Sequence, residues 1–204
     1  MVDALGTYET TIGSQRRVLP LVPLSDELAI ALLITVDHGV AFSARAGEDL
    51  AKLLGPFDID VVVSVATMGI PLAIEVSRAL GIDDYVILQK TPKIHLADAV
   101  SEPVTSITTD SRQRLLFDRA RIGAVAGRRV ALIDDVVSTG ASVRAALNLV
   151  RHVGGEPVAV GTLLTEAAAW RRTLGEDAEL VQALGAVPLF RRQDNGDLQE
   201  DWEG

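Results

Sequence analysis

A parallel α/β sheet with helices on both faces is the fold this sequence predicts. Three observations point there: short β-rich apolar runs alternate with helical patterns from about residue 56 onward, the runs are apolar on both sides, and Pro and Gly fall at helix ends. Ile59-Asp60-Val61-Val62-Val63-Ser64-Val65 reads as a buried strand, Pro71 to Leu80 as a helix with Pro in its first turn and Gly81 closing it, and Tyr85 to Leu88 as the next strand. Val130 to Ile133, Ser142 to His152 and Val158 to Leu164 repeat the order strand, helix, strand, with Gly154-Gly155 ending the helix.

Three stretches break that rhythm. Residues 7–34 are strand-like pieces around the turn Ser25-Asp26-Glu27, so residues 1–36 are expected to form a small β-rich hood. Residues 91–121 lack a helical period and place Val104 to Ile107 and Leu115 to Phe117 around polar Thr108 to Arg114, which predicts an exposed hairpin loop. A connection of that length inside a compact domain usually carries function. The core is expected over 37–192, and the polar tail over 193–204 is expected to fray.

The chain has 204 residues, a formal charge of −9, 48% hydrophobic residues and no cysteine. One folded domain fits that length. The lack of Cys excludes disulfides, thiolate zinc sites and a cysteine nucleophile. The longest apolar run, Leu28 to Val36 broken by Thr35, is short of a bilayer span, and Met1-Val2-Asp3-Ala4 is acidic where a signal peptide is basic, so a cytoplasmic protein is expected. The acidic balance repels phosphate backbones and argues against nucleic-acid binding; a phosphate-bearing ligand must be held by local amides, a few cations or a metal ion.

The most informative stretch is Val130-Ala-Leu-Ile-Asp134-Asp135-Val136-Val137-Ser138-Thr139-Gly140-Ala141-Ser142. A strand delivers two carboxylates to its C-terminal end, where ligands of open α/β sheets bind. A turn of small and hydroxyl residues then opens a helix, a setting in which N–H groups and the hydroxyls of Ser138, Thr139 and Ser142 can close on a phosphate. The carboxylates beside it suit sugar hydroxyls or a hydrated Mg2+. Asp used as turn and capping residue is the alternative reading. No Gly-Lys-Ser/Thr follows, so this is not a Walker loop. Ala66-Thr67-Met68-Gly69-Ile70-Pro71 is a second small-residue turn between a strand and a helix, and an ordinary βα turn is its alternative.

The Val130 to Ser142 stretch resembles the 5-phosphoribosyl-1-diphosphate (PRPP) signature of the type I phosphoribosyltransferases. From about Thr35 to Arg192 the order of elements is similar to the purine branch of that family, especially the bacterial xanthine and adenine enzymes. The resemblance implies the type I fold, with the hood, a mobile loop over 91–121, and a homodimer. It places Asp134 and Asp135 at the ribose hydroxyls and the turn Val137, Ser138, Thr139, Gly140, Ala141 and Ser142 at the 5′-phosphate. Diphosphate would meet Ala66, Thr67, Met68 and Gly69, with Lys90 and Lys93 as cations and Lys90 counted with Asp134 and Asp135 as catalytic. Adenine enzymes usually carry Arg where Met68 stands. Thr108, Thr109, Ser111, Arg112 and Arg114 would face diphosphate when the loop closes over the substrate and excludes water.

At the base, the resemblance points to Val136 and to two departures: Glu166 and Asp37 occupy the places where xanthine-specific relatives carry Lys and Asn. Both are acceptors when ionised, so an aminopurine such as adenine is expected in preference to an oxopurine. Capping of the following helix is the alternative for Glu166. Trp170 is expected to pack, and His38, His95 and His152 lack metal-ligand spacing. The implied activity is Mg2+-dependent transfer of the phosphoribosyl group from PRPP to a purine base, as in purine salvage. Transfer to xanthine, guanine, hypoxanthine or an unusual base is the alternative, as is a PRPP-sensing regulator without catalysis. Purine-branch regulators add an N-terminal DNA-binding domain, whereas here fewer than 60 residues precede the first core strand and they read as β.

Overall fold

The computed structural model describes residues 5–92, 94, 98–104 and 113–204. Its main sheet is parallel throughout, built from β4 (Val61–Val65), β5 (Tyr85–Leu88), β8 (Arg129–Val137), β9 (Glu156–Glu166) and β10 (Val181–Ala183) in the order β10-β9-β8-β4-β5, with β11 (Ala186–Val187) pairing the end of β9. The strands alternate between two cores. Val61, Val63, Val65, Val130 and Leu132 face one helical layer, and Val62, Ala131 and Ile133 face the other. Apolar residues are therefore needed at every position, which is why these segments read as continuous hydrophobic runs.

The first layer holds α3 (Ala141–His152), α4 (Ala169–Leu174) and a hairpin of β6 (Val100–Pro103) and β7 (Arg114–Phe117). The second holds α1 (Gly39–Leu54) and α2 (Gly69–Leu80), capped by the hood. As expected, α2 ends on Gly81 in the left-handed conformation. The helix α1 went unpredicted, although Phe42, Ala46, Leu50 and Leu54 repeat at helical spacing and are all buried.

The hood is an antiparallel sheet of β1 (Gly6–Ile12), β2 (Gln15–Pro23) and β3 (Leu28–Ala31), completed by β12 (Leu189–Arg192) and β13 (Leu198–Asp201) in the order β1-β2-β3-β12-β13. Ile12, Leu19, Leu21, Ala29 and Phe190 point inward into the second core. The tail thus departs from the expected fraying. Gly196 in the left-handed region turns the chain, Phe190 pairs with Glu200, and Arg191 Nε donates to Asp201 Oδ2 at 2.5 Å. Asp201 Oδ1 also accepts the N–H groups of Glu203 and Gly204. Polar composition had obscured a strand, β13, whose Leu198 packs on the hood core.

In the expected hairpin at 91–121, the first strand lies earlier than predicted, at Val100–Pro103, because Val100 opposite Phe117 seals the edge of the first core beside α3. Its expected tip residues Thr108, Thr109, Ser111 and Arg112 lie outside the described residues, as does Lys93. Arg114 is placed, and its guanidinium donates to Ser101.

The two helices of the second layer cross at Gly47, where an added Cβ would stand 2.5 Å from the Glu75 Cβ and 2.8 Å from its carbonyl carbon. In an exposed helix, Gly→Ala would stabilise by about 0.5–1 kcal/mol. Here Gly47→Ala should instead destabilise by about 1–3 kcal/mol through overpacking, read as a lower urea midpoint at unchanged slope.

Candidate active site

The chain leaves β4 toward β5 and leaves β8 toward β9, on opposite sides, so the C-terminal ends of the paired strands β4 and β8 open a crevice between α2 and α3. Such a reversal of strand order is where α/β sheets bind ligands. Both small-residue turns of the sequence meet there: Ala66 to Met68 after β4, and Ser138 to Gly140 after β8.

Gly69 makes their closeness possible. A Cβ at this position would lie 2.6 Å from Ser64 Oγ and 3.2 Å from Asp134 Oδ1, so the first turn of α2 runs directly against the acidic strand end. Ser64 itself is fully buried, with its hydroxyl unpartnered. Gly140 carries the second turn: its φ of 78° is left-handed, and a Cβ there would stand 3.1 Å from the Trp170 carbonyl oxygen. Trp170 is accordingly a packing residue, buried, with Nε1 donating to the Ala167 carbonyl at 3.1 Å. From this braced turn α3 starts, and its first N–H groups have no intrahelical acceptors. The Thr139 hydroxyl takes one of them, from Ala141 at 3.4 Å.

A cleft of about 150 Å³ follows, lined by Lys90, Asp134, Asp135, the turn from Val136 to Gly140, Ser142 and Val143. Asp134 is buried, with Oδ1 accepting the Asp135 N–H at 3.0 Å. Burial above all, then the charge and side-chain hydrogen bond of Asp135, push its carboxyl well above the usual range, while the Asp135 N–H and the Lys90 ammonium pull it back. Asp135 is half-buried, and Thr162 Oγ1 donates to its carbonyl at 2.9 Å. Neither Ser64 nor Thr162 carried a signal in the sequence beyond being a hydroxyl residue inside a strand.

The structure thus gathers Asp134, Asp135, Lys90, Val136 and the Val137–Ser142 turn in one place, with Ala66 to Gly69 beside it. Met68 stands at the N-cap of α2, and residues 66–69 contribute no cation. Asp37 is elsewhere. It is exposed in the 3-10 turn Thr35–His38, and the neighbouring Val36 and Val40 form a groove with Ile70 and Pro71 at the start of α2. Glu166, expected at the base, ends β9 with its buried carboxylate accepting the Ser138 hydroxyl of the turn. Burial raises its pKa and that hydrogen bond lowers it.

Among the described residues no group of three His, Cys, Asp or Glu could hold a metal ion. Two adjacent carboxylates fit a cation that keeps most of its waters and takes further oxygens from a phosphate, as Mg2+ does. A raised carboxyl pKa costs stability above the unfolded-state value, and the cost grows until pH passes the folded value. Asp134→Asn keeps the acceptor for the Asp135 N–H. It should therefore melt with wild type near pH 4 and several degrees higher at pH 8, read by calorimetry of the ligand-free protein.

Similarity to known proteins agrees with this geometry. The phosphoribosyl transferase domain family matches residues 42–184. A xanthine phosphoribosyltransferase of Brevibacillus brevis is 29% identical over 66% of this chain and 67% of its own. A probable purine biosynthesis transcriptional regulator PurR of Streptococcus pneumoniae is 29% identical over 78% of this chain and 54% of its own. The chain spans about half the length of several such curated relatives. Adenine phosphoribosyltransferase from Giardia lamblia, solved with 9-deazaadenine, superposes with a TM-score of 0.64 over 82% of this chain and 93% of its own, at 18% identity. With this pair of turns at the strand ends and a family match over residues 42–184, the chain belongs to the phosphoribosyl transferase domain family.

Proposed function

We propose that the protein transfers the 5-phosphoribosyl group of PRPP to a purine base, giving the nucleoside 5′-monophosphate and diphosphate. One observation carries this: two small-residue turns lie at neighbouring strand ends, and the acidic pair and Lys90 line the cleft beside them, which suits a ribose bearing phosphates at both ends. In this reading the Val137–Ser142 turn takes the 5′-phosphate, with amides and helix dipole directed at it. Asp134 and Asp135 accept from the ribose hydroxyls and complement positive charge developing at C1′. Ala66 to Gly69, Lys90 and Lys93 receive the diphosphate as its bond to C1′ breaks and the base nitrogen bonds in its place. Asp134 and Asp135, through water, would hold Mg2+ on the diphosphate, where it stabilises the leaving charge. The remainder is positioning, with no side-chain nucleophile.

Of the residues expected at the base, Glu166 is engaged by Ser138 and Asp37 stands outside the cleft, exposed on the turn Thr35–His38. In this reading a base packed on Val136 extends to that turn, where Asp37 would accept from its amino group. The reading includes a cytoplasmic homodimer; no described helix is long and apolar enough to cross a membrane. A second reading has an observation of its own: the relatives called purine regulators align over 78% and 86% of this chain, against 66% for the xanthine enzyme of Brevibacillus. PRPP sensing without transfer would keep the same turns.

Diphosphate release with PRPP, Mg2+ and a panel of adenine, guanine, hypoxanthine, xanthine and orotate separates these readings. Adenine should give the highest kcat/KM. Asp37→Asn should narrow its lead over hypoxanthine by about tenfold, since an amide can turn its N–H toward an oxo group. PRPP binding without diphosphate release from any base would favour the regulator.

Asp134→Asn combined with Asp135→Asn should leave the far-ultraviolet circular dichroism spectrum unchanged and reduce turnover sharply. Charge-assisted hydrogen bonds to the ribose are worth roughly 1.5–3 kcal/mol each, about ten- to a hundredfold in rate. Undiminished turnover would remove the acidic pair from the site.

A further inference from the structure

Ser138 leads the phosphate turn, yet its hydroxyl is bonded to a buried carboxylate. Parallel pairing of β8 with β9 sets Val137 beside Thr165, which brings the next residues, Ser138 and Glu166, side by side. A hydroxyl has one proton and two lone pairs. While Glu166 is ionised, that proton is given to its Oε2, and the oxygen of Ser138 offers an arriving phosphate only lone pairs, with a buried negative charge behind them. A protonated Glu166 reverses the bond: the carboxyl donates to Ser138 Oγ, and the serine proton is free for a phosphate oxygen.

The surroundings of Glu166 favour taking up a proton. Burial and the Ser138 hydroxyl are the influences that move its titration. Its backbone pairs with Val187 of β11. On α4, the Arg171 guanidinium lies over the Trp170 ring at 4.4 Å and Arg172 reaches the Gly204 carbonyl at 3.5 Å. The charged groups of the neighbouring cleft, Asp134, Asp135 and Lys90, act on one another. Ser138 is therefore the side chain that links Glu166 to the turn.

Resting on the reading that the Val137–Ser142 turn takes a 5′-phosphate, we propose that Glu166 is a protonation latch on that turn: phosphate binding draws one proton onto Glu166 and swings the Ser138 hydroxyl to the ligand. The proton comes from solvent and returns to it when the ligand leaves. Glu166 acts through Ser138 and is a positioning residue. Affinity for phosphorylated sugars consequently falls as pH rises, beyond the change due to the phosphate's own titration.

Ribose 5-phosphate, without base or diphosphate, is the probe. Calorimetric titrations in buffers of different ionisation enthalpy count the protons taken up, and infrared difference spectra show a protonated carboxyl appear. The wild type should gain about one proton at pH 8 and bind less tightly than at pH 6. Glu166→Gln, whose amide N–H donates to Ser138 permanently, should bind about five- to tenfold more tightly than wild type at pH 8. Its uptake should fall to that of the phosphate alone, and the new carboxyl band should be missing. Glu166→Ala should lose the same uptake and band. Matched pH profiles and uptake in wild type and both variants overturn the latch alone. If none of these proteins prefers ribose 5-phosphate to ribose at either pH, the phosphate turn is wrongly placed and the latch falls with it.

Discussion

The parallel pairing of β4 with β8, from Val61 against Val130 to Ser64 against Ile133, is the constraint on which the rest of the site depends. The chain departs from these two strands in opposite directions, so α2 and α3 begin at the same edge of the sheet but on opposite faces. Both helices begin at one crevice, and they could not if the strands lay apart or ran antiparallel. Gly69 and Gly140 then set how near the turns approach. The first lets α2 lie against Asp134, and the second lets Trp170 brace the loop from below.

Charge sets the second condition. The protein is acidic overall and concentrates carboxylates where it is expected to receive phosphates. Asp134 and Glu166 are both buried at strand ends, and burial raises both, yet their partners differ. Asp134 faces another carboxylate and a lysine, an arrangement that favours a cation or sugar hydroxyls. Glu166 faces a hydroxyl, which can donate or accept, and so offers a proton-dependent contact. Adjacent strands thus carry two carboxylates suited to different tasks by their immediate neighbours.

The hood adds a long-range tie. Its sheet takes β1 to β3 from the start of the chain and β12 and β13 from the end, all on the α1–α2 side of the core. The Asp37 turn hangs between this sheet and the first turn of α2, so whatever it recognises is positioned by both ends of the sequence.

Residues 130–142 were legible because strand end, acidic pair, turn and helix start are contiguous, and each part has a local chemical signature. The same holds for Pro71 to Gly81 and for the strand at Tyr85. The helix α1 was hidden because Gly47 interrupts its interior like a helix breaker, until another helix lies close enough to need it small. The tail was misjudged because Leu198 gains its value only against the hood core, which β1 to β3 build from the other end of the chain. By itself the sequence determined the α/β class, the two turns and the acidic pair, all written in local periodicity and short-range turn chemistry. Only the tertiary structure decided that Glu166 meets Ser138, that Gly69 meets Asp134 and that the tail completes the hood, because strand order and register choose which distant residues become neighbours.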